Sequence, residues 1–463
     1  MKPLSLAEIA KAVDGQLSDL SLGSTMISDI TIDSRWISPY QNVNTLFVPL
    51  HGTRDGHLFI ENAFEDGAVA CFCEYGYEID YPCIKVENTL EAFKKLAKHY
   101  ISLFDIKIIG ITGSNGKTTT KDMIYSVLSK KFNVLKTIGN FNNDIGLPLT
   151  IFRIEDTHEI AVLEMGMNHM GEIRGLSQIA PPNIAVITNI GVAHIENLGS
   201  RENIFSAKSE ILENLRPKGI CFLNGDDDFL KQHAGRGDVR FYGNGENNTY
   251  RIKNLHLKGI YGSEYDFEEP EGDFKIKLSV PGAHMATNSA VAVAIGLHFE
   301  IKESDIYAAL ESFHPTGQRM QVTETGKGLF VIDDCYNANP ESAKAALDVL
   351  ANSNSERSIA ILGDMFELGK DSEKMHYELG KYAASLGISH IICVGELASH
   401  IYEGAFNCLY DEIGAMSDTQ CLYFEDKEAF KEQFELLIKT GDMVLVKASR
   451  GMRFEEIIRW MEA

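Results

Sequence analysis

Strand-like and helix-like hydrophobic patterns alternate along most of this chain. Short apolar runs such as Ile108–Thr112 and Ile184–Asn189 have the length and composition of buried β-strands. Between such runs lie longer segments with apolar residues on one helical face, such as Lys117–Lys131. A strand followed by a helix, repeated many times, predicts parallel sheets that are covered by helices on both faces. The predicted fold class is therefore α/β with mostly parallel sheets.

The alternation changes character twice and divides the chain into three segments. Residues 1–105 hold short strand-like runs, after a capping box from Ser5 to Glu8 that predicts a short amphipathic helix. Residues 106–314 alternate strands with helices, apart from charged hairpin-like segments between Asp238 and Val280. A third alternation follows in residues 315–463. We predict three domains with these bounds: an N-terminal α/β domain, a central P-loop-type domain with a mostly parallel sheet, and a C-terminal Rossmann-like domain.

The last segment has the rhythm of a dinucleotide-binding fold but lacks its glycine fingerprint. The pair Gly243-Asn-Gly245, upstream of it, is not followed by a third glycine at the required spacing. We expect a fold shared with NAD proteins, without NAD binding. The other predicted strands are Ile27–Ile32, Thr45–Pro49, Val69–Glu74, Cys83–Val86, Ile160–Met165, Ile220–Asn224, Leu329–Asp333, Ser358–Leu362, Ile391–Val394, Leu422–Phe424 and Met443–Val446. The other predicted helices are Arg201–Leu215, Ala283–Phe299, Pro340–Ala351 and Lys374–Ser385.

Composition and charge argue against several classes of protein. The 463 residues are 44% hydrophobic and 24% charged, as in an ordinary globular protein. The formal net charge of -23 argues against a nucleic-acid partner, which would need clustered Lys and Arg. No apolar run reaches the roughly 20 residues that span a bilayer, so membrane insertion is not expected. The 8 cysteines include no CxxC pair, which favours buried reduced thiols in a cytoplasmic protein over zinc or disulfides.

A phosphate-binding loop follows the strand Ile108–Thr112 and opens the next helix. In Gly113-Ser-Asn-Gly-Lys-Thr-Thr119, glycines let backbone N–H groups approach phosphates, and Lys117 adds a full positive charge at a helix N-terminus. Thr118 offers a hydroxyl to Mg²⁺. The common form of the loop has a glycine where Ile111 stands here. This shorter form predicts ATP binding and argues against GTPases and motor ATPases.

Glu164 stands at the end of the predicted strand Ile160–Met165. Alternation along the strand places it on the face of Ile160 and Val162, at the carboxyl edge of the sheet. A carboxylate beside a phosphate loop is a natural Mg²⁺ ligand. An exposed glutamate at a strand end is the alternative.

Lys208 falls in the middle of an apolar stripe on the predicted helix Arg201–Leu215. A lysine at such a position is costly unless it snorkels to solvent, pairs with an acid or is modified. His194 closes a loop after the strand Ile184–Asn189 and is a metal-ligand candidate, although a lone histidine is more often structural. Together with Glu164, these two residues favour a metal site.

The C-terminal segment carries a further polar cluster. The strand Leu329–Asp333 leads into Asp334-Cys-Tyr-Asn-Ala-Asn-Pro340, so that Asp333 and Asp334 face opposite sides and one of them can reach a cleft. Arg319 and the segment Lys447–Arg450 supply basic or polar side chains at similar positions. Each of these signals is weak by itself.

Taken together, these motifs resemble the Mur ligase family over essentially the whole chain. The N-terminal runs that include Asp33-Ser-Arg35 and Asp55-Gly-His57 look like the uridine-nucleotide-binding module of that family. The other segments that carry the resemblance are TGSNGKTTT (112–120), GNFNNDIGLPLT (139–150), LEMGMNHMGEI (163–173), TNIGVAHIENLGS (188–200), AKSEI (207–211), GQRMQ (317–321), DDCYNANP (333–340) and VKASRGMRFEEI (446–457).

The resemblance implies an ATP-dependent amide ligase of peptidoglycan precursor synthesis. The forms of the segments 139–150 and 333–340 look most like the branch that joins D-alanyl-D-alanine to UDP-N-acetylmuramoyl-tripeptide. The implied reaction activates the peptide carboxylate as an acyl phosphate, which the amine of the dipeptide then displaces. The implied protein is a cytoplasmic monomer that binds ATP, two Mg²⁺ ions, UDP-MurNAc-tripeptide and D-Ala-D-Ala. Residues 1–105 would then bind the UDP-linked substrate.

Residue roles follow from the same resemblance. Carbamylation of Lys208 is implied, and it would turn the buried cation into a carboxylate-like group. For Asn288, the alternative to an ATP contact is a role in helix capping or packing only. The implied catalytic residues are Lys117, His194 and Lys208, and the implied metal ligands are Thr118, Glu164, His194 and Lys208. The implied ATP contacts are Gly113, Ser114, Asn115, Gly116, Lys117, Thr118, Thr119, Asn288, Arg319 and Asp334, and the implied contacts to the UDP-linked substrate are Ser34, Arg35, Asn140 and Asn143.

Three other interpretations remain open from sequence. The first is another ligase of the same superfamily, either one that adds the third peptide residue or a folylpolyglutamate synthase. The second is a non-catalytic nucleotide-binding clamp, against which the complete metal constellation argues. The third is a P-loop motor or transporter ATPase, for which the chain lacks a membrane or nucleic-acid surface.

Overall fold

The computed structural model describes residues 1–37, 43–413 and 418–462, and three separate β-sheets dominate it. A five-stranded, a nine-stranded and a six-stranded sheet follow one another along the chain, and a small two-stranded sheet precedes them. Most neighbouring strands in the three large sheets run parallel, with helices between them. The predicted α/β class with mostly parallel sheets is thereby confirmed. Each large sheet lies inside one of the three predicted segments.

The first segment forms the five-stranded sheet, in the order β2-β7-β6-β5-β4. The predicted strand Ile27–Ile32 is in fact two strands, because its halves pair in different sheets. The predicted capping box is present: Ser5 Oγ accepts the Glu8 N–H, and the Glu8 carboxylate accepts the Ser5 N–H. The strands are β1 (Leu4–Ser5), β2 (Gln16–Leu17), β3 (Met26–Ile27), β4 (Asp29–Thr31), β5 (Thr45–Phe47), β6 (Ala68–Glu74) and β7 (Cys83–Val86), and the helices are α1 (Leu6–Ala12), α2 (Ile60–Glu65) and α3 (Thr89–Ser102).

The second segment forms the nine-stranded sheet, in the order β16-β15-β14-β13-β12-β11-β8-β10-β9. The charged segments that interrupt the alternation extend this same sheet as antiparallel strands. The strands are β8 (Lys107–Thr112), β9 (Val134–Lys136), β10 (Ile160–Glu164), β11 (Ile184–Ile187), β12 (Ile220–Asn224), β13 (Val239–Gly243), β14 (Tyr250–Leu257), β15 (Ser263–Glu269) and β16 (Gly272–Leu278). The helices are α4 (Lys117–Leu128), α5 (Gly146–Ile151), α6 (Glu172–Ile179), α7 (Ile195–Leu198), α8 (Arg201–Ser209), α9 (Ala283–His298) and α10 (Glu303–Glu311).

Helix α8 is shorter than the predicted helix Arg201–Leu215. It tightens into a 3-10 turn at Glu210–Leu212. At this point the buried Glu210 carboxylate accepts the backbone N–H groups of Gly171 and Arg174, at 2.8 and 3.0 Å. Those groups belong to the start of helix α6, whose first N–H groups have no partner within the helix.

The third segment forms the six-stranded sheet, in the order β17-β18-β22-β19-β20-β21, in which only the β17–β18 pair is antiparallel. Helix α11 has the predicted bounds, and Pro340 stands in its first turn behind the capping residue Asn339. The strands are β17 (Gln321–Glu324), β18 (Phe330–Asp333), β19 (Ser358–Gly363), β20 (His390–Val394), β21 (Gln420–Phe424) and β22 (Met443–Lys447). The helices are α11 (Pro340–Ala351), α12 (Ser372–Ser385), α13 (Ala398–Asn407), α14 (Lys427–Leu437) and α15 (Glu455–Glu462).

The central sheet has a hydrophobic core on each of its two faces. Along β10, Ile160 and Val162 enter a core that continues through helix α9 into the third segment. Ala161 and Leu163 face the opposite way, into a core shared with the first segment. Because successive strand residues point to opposite faces, one short strand connects both cores. The central sheet therefore packs against both of the neighbouring segments.

Tyr100 of the first segment makes a buried hydrogen bond to the second segment. Its side chain is fully buried on α3, and its hydroxyl donates to the Ile154 carbonyl at 2.7 Å. The same oxygen accepts the Lys2 N–H at 2.7 Å. Loss of the hydroxyl would leave a buried carbonyl without this partner.

We expect Tyr100→Phe to lower the free energy of unfolding by about 1–3 kcal/mol, the usual effect of an unsatisfied buried polar group. Urea denaturation followed by far-UV circular dichroism measures this. Tyr75→Phe is the matched control, because Tyr75 is 55% exposed and should give no comparable loss. Equal stability of the Tyr100 variant and the wild type would contradict the assigned role.

Candidate active site

The phosphate loop has the predicted strand–loop–helix setting between β8 and α4. Gly113 and Gly116 have φ angles of +150° and +80°, which residues with side chains rarely adopt. A Cβ on Gly113 would lie 1.8 Å from Thr188 Oγ1, and one on Gly116 would lie 2.7 Å from Asn288 Oδ1. The two glycines are therefore required both for backbone conformation and for the close approach of neighbouring chains.

The loop is held in place by the segment that follows β11. Ser114 Oγ accepts the Gly191 N–H at 2.9 Å, and the Asn115 N–H donates to Asn189 Oδ1 at 2.9 Å. Thr188 Oγ1 donates to the Asn115 carbonyl at 2.5 Å. These bonds fix the loop before any ligand binds, which lowers the entropy cost of binding phosphate.

Lys117 begins helix α4 and points its ammonium back over the loop. Its Nζ donates to the carbonyl oxygen of Gly113 at 2.9 Å. Burial lowers the pKa of Lys117; the neighbouring Glu164 opposes this shift and Arg319 adds to it. The ammonium thus lies at the N-terminus of a helix, where the backbone dipole also favours an anion.

Glu164 is 1% exposed and faces the phosphate loop, as the strand alternation predicts. Its Oε2 accepts the Thr118 hydroxyl at 2.9 Å, and its Oε1 accepts the Asn142 side-chain N–H at 2.8 Å. Lys121 Nζ lies 3.9 Å from the same carboxylate. The alternative of an exposed strand-end glutamate is wrong. A hydroxyl and a buried carboxylate side by side are oxygen donors of the kind that Mg²⁺ prefers.

Lys208 is buried, with 1% of its surface exposed, so the alternative of snorkelling to solvent is wrong. No hydrogen bond or ion pair reaches its Nζ within the part of the chain that the structure describes. Burial, together with the positive charge of Lys117, holds the pKa of Lys208 well below its usual range.

His194 caps the short helix α7 from a left-handed conformation, with φ at +64°. Its imidazole lines the cavity over the phosphate loop. Its Nδ1 lies 2.6 Å from Glu367 Oε2, which comes from the third segment. The side chain is therefore oriented by a residue distant in sequence.

The third segment closes the cavity from the other side. Arg319 lies over the ring of Tyr336 at 4.0 Å. Asp334 Oδ1 accepts the Met320 N–H at 3.0 Å, and its Oδ2 pairs with Lys447 Nζ at 2.6 Å. Asp334 is the member of the aspartate pair that lines the cavity. Asp333 supports the turn by accepting the Cys335 N–H, and burial raises its pKa.

These side chains surround one cavity of about 660 Å³ between the second and third segments. Twelve of the predicted site residues line it, whereas Gly113, Lys208, Ser34, Arg35 and Asn143 do not. The twelve are Ser114, Asn115, Gly116, Lys117, Thr118, Thr119, Asn140, Glu164, His194, Asn288, Arg319 and Asp334.

The predicted residues outside the cavity have other contacts in the structure. Arg35 is exposed and pairs with Asp33, its Nη2 lying 2.6 Å from the carboxylate. Ser34 is buried. Asn143 Oδ1 accepts the Gly146 N–H at 2.8 Å, at the start of helix α5. Substrate contacts for these three residues stay a prediction.

The Asp55-Gly-His57 motif builds an internal network. His57 is buried, with Nδ1 at 2.8 Å from Asp55 and Nε2 at 3.2 Å from the Glu74 N–H. Tyr77 stacks on His57 at 3.9 Å and donates its hydroxyl to Asp55. Both ring nitrogens of His57 are thus engaged within the protein. The motif shapes the first segment rather than offering free polar groups at this histidine.

Several cavity residues were not singled out from sequence. Asn142 stands inside the segment 139–150, but only its contact with Glu164 distinguishes it from its neighbours. Asp227 Oδ2 accepts the Ile190 N–H at 2.7 Å and fixes the loop that carries His194. Asn339 Nδ2 donates to Asn115 Oδ1 at 2.7 Å, across the boundary between segments. None of these long-range contacts has a local sequence signal.

All eight cysteines are free thiols, as the spacing predicts. Seven of them are buried and Cys421 is half-buried. Among the helices that the structure describes, none combines the length and apolar character needed to span a bilayer.

The fold and the cavity together define a nucleotide-binding α/β protein, with a phosphate loop at the edge of its central sheet. Family models support this class independently. The Mur ligase middle domain matches residues 111–296, and the Mur ligase, glutamate ligase domain matches residues 318–450. The chain belongs to the Mur ligase family.

Individual relatives narrow the class further. The chain is similar to UDP-N-acetylmuramoyl-tripeptide–D-alanyl-D-alanine ligase of Bacillus subtilis, with 39% identity over 98% of this chain and 97% of that protein. The crystal structure of MurF from Acinetobacter baumannii superposes with a TM-score of 0.90, at 30% identity over 100% and 99% of the two chains. MurF ligase from Thermotoga maritima in complex with ADP gives a TM-score of 0.82, at 30% identity over 94% and 97%.

The glycine geometry gives a test of the phosphate loop. Gly116→Ala should weaken ATP binding at least ~10-fold, because the new Cβ would press on Asn288 inside the cavity. Titration with a fluorescent ATP analogue measures the affinity.

Gly171→Ala is the matched control for this variant. Gly171 also caps a helix, has a φ of +89°, and has open space around its Cβ position. Both variants carry the left-handed strain of about 1–2 kcal/mol, but only the first crowds the cavity. Equal ATP affinity in the two variants would contradict the assigned loop geometry.

Proposed function

We propose that this chain joins D-alanyl-D-alanine to UDP-N-acetylmuramoyl-tripeptide and converts ATP to ADP and phosphate in the same reaction. The observation that carries the proposal is the buried Glu164 carboxylate, hydrogen-bonded to Thr118 at the phosphate loop, in a chain similar over its whole length to ligases of this name. The product is the UDP-linked pentapeptide of peptidoglycan precursor synthesis.

The reaction takes place in two steps. A carboxylate is a poor electrophile, so an oxygen of the tripeptide carboxylate first attacks the γ-phosphorus of ATP, and ADP leaves. The amine of D-Ala-D-Ala then attacks the acyl carbon and gives a tetrahedral intermediate. This intermediate expels phosphate, which keeps the attacking carboxylate oxygen, and the nitrogen loses a proton as the amide forms.

Positioning and charge neutralisation supply most of the catalysis of phosphoryl transfer. The backbone N–H groups of the loop and the first turn of α4 bind the β- and γ-phosphates. Lys117 moves from its contact with the Gly113 carbonyl onto the phosphate oxygens. Asn288 and Arg319 bind the nucleotide, and Asp334 lies near the adenosine or ribose.

Oxygen donors suited to Mg²⁺ lie side by side at the phosphate loop, where Thr118 and Glu164 would hold one ion. His194 and a carbamylated Lys208 would serve a second. When bound, Mg²⁺ neutralises charge that develops on the phosphate oxygens. In the absence of metal, Glu164 is satisfied by Thr118 and Asn142, so the buried carboxylate is not left unpaired.

Carbamylation suits the environment of Lys208. The reaction joins the neutral amine to CO₂, forming an N–C bond and releasing one proton, and it leaves a negative carbamate. The lowered pKa of Lys208 favours the neutral form of the amine, which this reaction needs. No acid pairs with Lys208 among the described residues, and the positive charge of Lys117 would favour a new anion at this position.

The first segment takes the UDP-linked substrate through Ser34 and Arg35. Asn140 and Asn143 of the second segment contact the same substrate. The three domains have the bounds 1–105, 106–314 and 315–463. We place the protein in the cytoplasm, since ATP and UDP-linked precursors are cytoplasmic and the chain carries eight free thiols. We propose that it acts as a monomer.

The test of this function is ADP release with purified UDP-MurNAc-tripeptide. We expect turnover with D-Ala-D-Ala and little without it, together with a product whose mass corresponds to the pentapeptide. Single amino acids offered in place of the dipeptide should not replace it. Turnover with a single amino acid but not with the dipeptide would contradict the proposal and favour another ligase of the family.

Replacement of Lys208 tests the carbamate. Lys208→Ala should lower the turnover rate on the order of 100-fold, because the second cation loses a ligand. Added bicarbonate should not restore the rate, whereas a small carboxylic acid such as acetate should restore part of it. Steady-state ADP release measures both effects.

The control for this variant is Lys98→Ala, since Lys98 is exposed on helix α3. A carbamate signal in the ¹³C NMR spectrum with labelled bicarbonate should be present in the wild type and in this control, and absent in the Lys208 variant. Full activity of Lys208→Ala would contradict the carbamate assignment.

A further inference from the structure

Two loops from different segments meet beside the cavity. One is the loop 192–199 of the second segment, and the other is the loop 364–371 of the third. The Glu196 N–H donates to the Glu367 carbonyl at 3.2 Å, and the Cβ position of Gly369 lies 3.2 Å from Glu196 Cα. The backbones of the two loops are therefore in direct contact.

The side chains at this junction make a second and separate contact. Glu367 Oε2 lies 2.6 Å from His194 Nδ1, although 173 positions of sequence separate the residues in the chain of 463. The Glu367 side chain is about half exposed, and the imidazole is mostly buried. The carboxylate thus approaches the imidazole from the outer side, while the ring lines the cavity.

Both partners adopt a backbone conformation that is unfavourable for residues with side chains. The φ angle is +64° at His194 and +63° at Glu367. Such a conformation costs of order 1–3 kcal/mol for each residue, and it persists only where the surroundings enforce it. Glycine would remove this cost at either position. Two non-glycine residues at facing positions therefore point to a requirement for their side chains.

The contact with Glu367 limits where the imidazole of His194 can lie. Glu367 Oε2 lies 2.6 Å from Nδ1 without the alignment of a hydrogen bond, and Nδ1 has no hydrogen-bond partner among the described residues. The carboxylate therefore acts on the ring by its close approach and its charge. Carboxylates beside the second nitrogen of a metal-binding histidine orient the ring.

We infer that Glu367 is a positioning residue for the metal site: it orients His194 from the third segment, so that the second cation site is complete only when the two segments are docked. This inference rests on the proposed role of His194 as a metal ligand. It adds a residue from a different segment, which touches neither ATP nor metal itself.

The backbone contact alone does not explain the pair. The Glu196 N–H bond to the Glu367 carbonyl would survive any change of the Glu367 side chain. Glu341 makes another contact between the same segments, where its Oε1 accepts the Val192 N–H at 3.2 Å. Other contacts therefore hold the two segments together. The role that remains for the Glu367 carboxylate is to orient the imidazole of His194.

The experiment measures the binding of Mn²⁺ to the full chain in the presence of ADP. Mn²⁺ is a paramagnetic substitute for Mg²⁺, so electron paramagnetic resonance reports its binding. We expect wild type to bind two Mn²⁺ ions per chain. Glu367→Gly should weaken one of them by about 10- to 100-fold, the usual effect of losing such a carboxylate. The glycine variant relieves the left-handed strain, so misfolding does not confuse the result. Glu367→Gln, which keeps an oxygen acceptor, should show a smaller loss.

Two further variants complete the design. Glu373→Gln is the matched control, since Glu373 is an exposed carboxylate at the start of α12, and it should bind Mn²⁺ as wild type does. In a His194→Ala background, Glu367→Gly should cause no additional loss, because its effect acts through the imidazole. A merely structural role would lower Mn²⁺ affinity in both backgrounds.

Steady-state kinetics should separate an effect on the metal site from an effect on ATP binding. Glu367→Gly should lower kcat and leave the KM for ATP near that of wild type, because the phosphate loop is untouched. If Glu367→Gly binds Mn²⁺ with wild-type affinity while His194→Ala loses one ion, the positioning role of Glu367 is overturned and the metal role of His194 stands. Two tightly bound ions in His194→Ala would instead overturn the proposed metal role of His194.

Discussion

The hydrogen bond between Thr118 and Glu164 joins the first turn of the phosphate-loop helix to the end of the adjacent strand. Strands β8 and β10 are parallel neighbours with Glu164 opposite Ile111, so the carboxylate reaches the loop from the sheet edge. A buried carboxylate is costly without partners, and Asn142 supplies the second one. The position of these two strands therefore fixes the carboxylate against the phosphate loop, and in the proposed reaction it determines where a cation and the γ-phosphate lie.

The third segment completes the site through contacts that each join a loop of one segment to a loop of the other. Asn339 holds the phosphate loop at Asn115, Glu341 holds the backbone at Val192, and Glu367 holds His194. These contacts bring Arg319 and Asp334 of the third segment to the cavity beside the loop. Because the two segments also share a hydrophobic core, docking and site assembly are one event. Ligands shared between segments are typical of enzymes that close before reaction.

Sequence predicted the parts of this site whose signals are local. The phosphate loop has a motif, the face of Glu164 follows from alternation along one strand, and the burial of Lys208 follows from helical spacing. Asn142 and Glu367 lie in segments with no such periodicity, and their roles depend on contacts with residues distant in the chain. Helix ends were also less predictable, because tertiary hydrogen bonds, such as those of Glu210, decide where α8 stops.

The central claim is that the peptide carboxylate itself attacks ATP in this cavity. An acyl phosphate transfers one carboxylate oxygen to inorganic phosphate when the amine displaces it. The direct measurement uses UDP-MurNAc-tripeptide labelled with ¹⁸O in its terminal carboxylate, with mass analysis of the phosphate released in the presence of D-Ala-D-Ala. The account predicts one ¹⁸O atom in each phosphate. Phosphate without ¹⁸O would contradict it.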